Sequence, residues 1–270
     1  MLRRLFTTYL KFIQIQILSQ IQYPFSFLFD VFTNGISLLI FFLSLSLVLQ
    51  RFDNVGGWRL GEIAFLWGTA EIAFGLMDMI FSGFDPDSFS VMVRQGTLDQ
   101  MLLRPANITI QIFGSRFILR RLGRIAEGLI IFTISQVLSP IVWTLPRLLF
   151  YPVVIFSQIL FFGGLFIAGS TITFWTIERI EAVNILTYGG NEMISYPMHI
   201  YPDWLIKFFT YLIPLIFINY YPALFFLGKP DPFGMPAFAP FLAPLAGLGV
   251  FLASLWFWKF GLRYYQGTGS

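Results

Sequence analysis

The sequence predicts an all-α integral membrane protein. It has six transmembrane helices, an amphipathic helix before the first of them, a short helical elbow outside the bilayer between the second and third, and a re-entrant segment before the sixth. Three observations lead there. The 270 residues are 57% hydrophobic and only 11% charged, with a mean hydropathy of +0.75, whereas soluble domains carry about 25% charged residues. A water-facing fold of this composition would expose more apolar surface than such folds tolerate, so lipid is the solvent. Apolar stretches also recur at close to the ~20 residues a spanning helix needs, and lysine and arginine collect in three places that an even number of crossings puts on one side.

The elements follow in chain order. Residues 1–22 read as an interfacial helix: Arg3, Thr7, Lys11 and Gln14 share one face, while Leu5, Phe6, Tyr9, Leu10 and Ile13 lie largely opposite. Lys11, Gln14 and Gln16 interrupt the apolar run too early for a signal peptide. Spans are expected over 24–49, 60–84, 123–142, 148–177 and 241–261, with a further crossing and a re-entrant piece sharing 182–227. There YPMHIYPDW, carrying Pro197 and Pro202, marks the turn. Residues 182–236 thus hold span 5 and the re-entrant, extracytoplasmic region. Arg3, Arg4 and Lys11, then Arg94, Arg104 and the arginines 116–124, then Lys259 and Arg263 form the positive groups. They place both termini and residues 85–107 in the cytoplasm.

Within 85–107, Ser88 is expected to cap a helix running to Arg94 or Gln95. Gly96 then supplies a left-handed stop, Thr97 and Gln100 form a capping box for a second helix, and Pro105 ends it. Leu98, Met101, Leu102 and Leu103 are too apolar for a freely solvated loop. Such a rigid elbow can take force from a partner. An ordinary cytosolic loop is the alternative.

In the second span, Gly61, Gly68 and Gly75 recur every seven residues, and Ala64, Glu71 and Asp78 follow the same interval three residues later. These are two positions of one helical seam, small and acidic, so that face should pack on protein. Glu71 and Asp78 either line a substrate or proton path or pair with hydroxyls, backbone or arginines of neighbouring helices. The second reading is favoured because no chain of titratable groups crosses the membrane. Arg116, Arg120 and Arg124, with Glu127 beyond, form an i, i+4, i+8 stripe suited to snorkelling, to anionic lipid or to an acidic partner.

The sequence has no cysteine and one histidine. Disulfides, thiolate metal sites and cysteine nucleophiles are thereby excluded, and no metal site is expected. His199 lies next to Pro197, Pro202 and Asp203. With no serine motif beside it, a structural role is favoured over a catalytic one. There is no G-x-x-x-x-G-K-[ST], so no phosphate-binding loop is expected and no catalytic residue is assigned.

RQGTLDQMLLRP resembles the element that follows the second span in type-2 (ABC-2-like) exporter permeases and forms their coupling helix. The matching residues are Gly96, Leu98, Asp99, Leu102 and Pro105. A second segment resembles an uncharacterised bacterial branch of that family in which two different permeases accompany one ATPase. It matches at Tyr196, Pro197, Ile200, Tyr201, Pro202, Trp204, Ile213, Pro214, Phe217, Asn219, Tyr220, Tyr221, Pro222 and Ala223. The resemblance covers nearly the whole chain and implies one transmembrane permease domain over residues 1–270. It implies a multi-pass protein of the bacterial inner (plasma) membrane that exports a drug, lipid, glycan or peptide. It further implies two copies of a cytoplasmic ABC ATPase, which holds ATP and Mg, and a second permease subunit, identical or homologous. This chain would hold no cofactor of its own, would meet membrane lipid and would bind no nucleic acid. Coupling to the ATPase would fall to Gly96, Leu98, Asp99, Met101, Leu102, Arg104 and Pro105. The competing classes are a membrane-embedded lipid-modifying enzyme built on His199 and Asp203, and a channel or secondary transporter. The latter usually shows internal repeats, which are not seen here.

Overall fold

The computed structural model describes residues 2–22, 54–176 and 181–267, with scattered positions between 25 and 47. The expected first span, 24–49, therefore lies mostly outside the described residues. Those of its positions that are described are helical and exposed, Phe25, Phe29 and Leu47 among them. Regular structure among the described residues is helical, with a lone bridge between Val55 and Trp58. Three helices are long and apolar enough to cross a membrane: Leu60–Arg94, Leu145–Thr176 and Ala239–Tyr264. A fourth is added if the bent pair Asp203–Leu212 and Leu215–Leu227 counts as one span.

Helix α1 (Leu2–Ile21) lies beside the chain's middle, and α2 (Leu60–Phe81) is the axis of the bundle. All but five of the 22 residues of α2 are buried, which suits a sequence apolar on every side. The seam settles its closest neighbour, α6 (Leu122–Leu138). A Cβ at Gly68 would lie 2.7 Å from the Phe132 nitrogen, and one at Gly128 would lie 2.7 Å from the Ile72 nitrogen. Glycine facing backbone on both helices is what lets them approach so closely.

Helix α7 (Leu145–Thr176) runs back along α2 and carries α12 (Ala243–Tyr264) on its other side. Pro152 stands in its second turn. Its 32 residues reach about 48 Å, more than the ~30 Å hydrocarbon thickness that a helix must cross.

The expected elements differ from this in two places. The third span ends at Leu138 rather than 142, and Ser139 leaves the helix. No single helix carries the arginines 116–124. Helix α5 (Ile108–Ser115) ends at an extended Arg116, Leu119–Arg121 form a 3-10 turn, and α6 starts only at Leu122. The i, i+4, i+8 stripe therefore does not exist as a helical face. Its fourfold spacing was read across two breaks that side-chain hydrogen bonds from α1 stabilise: Gln16 donates to the Ser115 carbonyl at 2.8 Å, and the Gln20 amide oxygen accepts from the Leu119 nitrogen at 2.9 Å.

Residues 181–227 divide by their contacts. Helix α8 (Glu181–Asn184) starts beside the elbow, where Asn184 Nδ2 reaches Asp87 at 3.4 Å. A π-helical turn, Ile185–Gly189, leads into α9 (Gly190–Ile194), where Asn191 meets Glu71 midway along α2. Residues 198–200 then arrive at the far end, where His199 touches Gly56. This stretch traverses the bundle. The next one, α10 (Asp203–Lys207), its π-helical continuation Phe208–Leu212, and α11 (Tyr220–Leu227), bends by 82° at Ile213 and Pro214. Its two ends meet the same loop at the far end of the bundle, since Ile200 lies against Gly56 and Lys229 donates to the Gly57 carbonyl at 3.1 Å. Asn219 donates to the carbonyls of Leu66 and Ile194 at 3.1 and 2.8 Å, tying this stretch to α2 and to the end of α9.

Candidate functional site

The elbow between α2 and α5 is built from two short helices. Asp85 caps α3 (Pro86–Arg94) by accepting from the Asp87 nitrogen, and Pro86 takes the first position, where its missing N–H costs nothing. Ser88, expected as the cap, sits inside the helix with its hydroxyl on the Asp85 carbonyl at 3.1 Å. Aspartate followed by proline was the stronger signal. Gly96 has φ +67°, the left-handed residue the sequence requires. It also serves as the N-cap of α4 (Thr97–Leu102). Thr97 is the first helical residue rather than the cap, so no capping box forms with Gln100.

This elbow is tucked into the bundle rather than held away from it. Phe89 and Val93 are buried, and Phe89 packs edge-on to Phe174 and Trp258, with ring centroids 5.7 Å apart in each case. Ser170 on α7 donates to the Phe84 carbonyl at 2.5 Å, and Trp258 on α12 donates to the Thr109 hydroxyl at 3.0 Å. Gln111 on α5 donates to the carbonyls of Met101 and Ala106, both at 3.0 Å, fixing the far end of α4. Three separate helices thus brace one element. The sequence reading passed over Gln111, although a glutamine inside ITIQIF was a visible oddity.

Of the residues assigned to coupling, Leu98 is fully buried within the chain and cannot anchor a partner. It faces inward because α4 spans less than two turns and its one buried position must hold it to the bundle. Met101 is half-buried, and Asp99 faces the C-terminal tail, where a Cβ at Gly267 would lie 3.3 Å from each carboxylate oxygen. Burial, with Asp99 beside it, pushes the Tyr265 phenol up to about 12. The exposed tip is Leu102, Leu103, at 86% exposure, Arg104 and Pro105.

Deeper in the bundle, the two seam carboxylates each meet an arginine. Glu71 accepts from Arg124 Nη2 at 2.9 Å and from its Nε, and the guanidinium lies over the Phe74 ring at 4.5 Å. Asp78 pairs with Arg121 Nε at 2.7 Å. Arg121 lay off the expected stripe. It reaches Asp78 because the 3-10 turn rotates the chain before α6 begins. Asn191 Nδ2 donates to Glu71 at 3.1 Å.

At the opposite end, His199 is not partnered by Asp203. Its Nε2 lies 2.6 Å from the Gly56 carbonyl, which can only accept, so Nε2 carries the proton, and Nδ1 accepts from the Tyr220 hydroxyl at 3.0 Å. Both nitrogens are used in tying the 54–59 loop to Tyr220 of the bent pair. Lys229 completes the clasp, paired with Glu62 at 2.8 Å and lying 5.0 Å from the Trp58 ring.

The model of the family described as ABC-2 family transporter protein matches residues 36–269. A search of curated proteins finds no match.

Proposed function

This chain belongs to the ABC-2 transporter family and is a multi-pass membrane permease component of an ABC transporter rather than a catalytic subunit; on that premise we propose that it couples ATP hydrolysis by a separate ATPase to export of a hydrophobic or amphipathic substrate. The observation that carries this reading is the elbow: two short helices with an apolar tip at Leu102 and Leu103, braced against α5, α7 and α12. An element so held transmits a push to the helices behind it instead of absorbing it. Residues 85–107 would dock in a groove of the ATPase, with Leu102 and Leu103 as anchors and Arg104 at the rim. ATP and Mg would reside on that partner, present in two copies, and a second permease subunit, identical or homologous, would complete the path.

We read six crossings: the expected span at 24–49, which lies mostly outside the described residues, then α2, α6, α7, the stretch through α8 and α9, and α12. With the bent pair re-entrant, α1, the elbow and the tail after α12 would share the cytoplasmic side of a bacterial inner membrane.

Capture of the cognate ABC ATPase by the detergent-solubilised chain tests the proposal. Leu103→Asp should weaken capture and abolish coupled hydrolysis while leaving thermal stability unchanged, since the side chain is 86% exposed. Capture and coupling at wild-type level in that variant would remove the elbow from the mechanism.

A further inference from the structure

Midway along α2 three carboxylates lie near one guanidinium, which pairs with one of them. Glu71 occupies Arg124 through both of its oxygens. Glu127 and Glu192 have no ion pair or hydrogen bond among the described residues, which leaves the group two negative charges in excess when all are ionised. Both lie at the depth of Glu71. Gly128, next to Glu127, would place a Cβ 3.0 Å from the Glu71 Cβ, and Asn191, next to Glu192, donates to Glu71 at 3.1 Å. Neither carboxylate is enclosed, for Glu127 is half-buried and Glu192 is exposed.

An ionised carboxylate facing hydrocarbon at this depth costs at least ~2.5 kcal/mol. Where both stay ionised, their surroundings meet water or a ligand rather than lipid. A second observation says what the ligand brings. Asn191 is fully buried, its amide nitrogen is committed to Glu71, and its Oδ1 has no partner. The unused capacity of the site is thus all acceptor: two carboxylates and an orphaned amide oxygen, which call for positive charge and N–H donors.

We propose that Glu127, Glu192 and Asn191 form a binding site for the ammonium group of an amphipathic amine on the wall of the transport path. The inference rests on the permease reading and adds the chemical class of the substrate. The apolar part of such a molecule would lie against the adjoining apolar helix surface, as exposed Leu129 and Ile130 on α6 allow.

The probe is dansylcadaverine, a fluorescent primary amine, with its N-acetylated analogue as the uncharged control. Binding is measured by fluorescence to the purified chain in lipid nanodiscs. The amine should bind about tenfold more tightly than the acetylated analogue, the loss expected when one partly desolvated charge pair is removed. The double variant Glu127→Gln/Glu192→Gln should abolish that preference without altering affinity for the analogue, and its melting temperature reports whether it folds. Equal binding of the two probes, binding of neither, or an amine preference that survives in a folded double variant would overturn the site and leave these carboxylates to another subunit. Retained ATPase capture in that case keeps the permease reading. An amine site without any capture would instead sink the permease reading and spare the site.

Discussion

Replacing Gly68 by alanine adds a single carbon at the tightest point between α2 and α6. That carbon would lie 2.7 Å from the Phe132 nitrogen and 3.0 Å from both the Gly128 oxygen and the Phe132 Cα. All three are backbone atoms, so no rotamer change relieves the contact. Normal separation is about 3.5 Å, which asks α6 to withdraw by roughly 0.8 Å along a packed interface. Overpacking of this kind costs about 1–3 kcal/mol, partly offset by the ~1 kcal/mol that alanine gains over glycine in a helix. Withdrawal also lengthens the Glu71–Arg124 contact one turn away, so the net effect should remain destabilising by roughly 1–2 kcal/mol. In a chain of this size that lowers the melting temperature by about 2–8 °C. Gly249 on α12 is the internal control, since nothing lies within 4 Å of a Cβ there. Gly249→Ala should be neutral or slightly stabilising. Thermal unfolding of both variants in one detergent, followed by size-exclusion recovery, decides the matter. If Gly68→Ala resists heat as well as Gly249→Ala, the seam is not the close interface described.

Leu98→Asp, in contrast to Leu103→Asp, should reduce folded yield, because it places a carboxylate in a fully buried position; recovery of wild-type amounts of folded protein would contradict that burial. Glu71→Ala leaves Arg124 unpaired and should cost about 3–5 kcal/mol, whereas Glu71→Ala with Arg124→Met should recover most of it in a double-mutant thermal cycle. Additive losses would mean that the pair is not coupled. His199→Ala removes two hydrogen bonds and should cost about 1–3 kcal/mol of stability while leaving transport turnover intact; loss of turnover in a folded His199→Ala protein would restore the membrane-enzyme reading. Single cysteines at Asn54, Leu103 and Gln266, in a sequence with none of its own, should react with an impermeant thiol reagent from outside only at position 54, and labelling at 103 would invert the topology.

Composition and periodicity were enough for the solvent, the helical class, the glycine seam and the left-handed turn at Gly96. Each of these depends on local chemistry. Apolar content selects lipid, a sevenfold interval of glycines fits one helix face, and only glycine enters the left-handed region at little cost. The motifs around Gly96 and Tyr196 carried the family as well, and the match over residues 36–269 bears that out.

The sequence could not assign partners. Arg121 rather than the stripe as a whole meets Asp78, since a break at Arg116 and a 3-10 turn change which way each arginine points. Leu98 reads like its exposed neighbours Leu102 and Leu103, and only packing against the bundle separates the inward residue from the outward two. His199 stands next to Asp203 in the chain yet bonds to Gly56 and Tyr220, because the chain turns at Pro197 and Pro202 and carries the imidazole to a loop 143 residues away. What local propensity and solvent choice control was determined by the sequence itself. Which side chains meet was decided only by the tertiary structure, because contacts between distant residues depend on where every intervening break and turn redirects the chain.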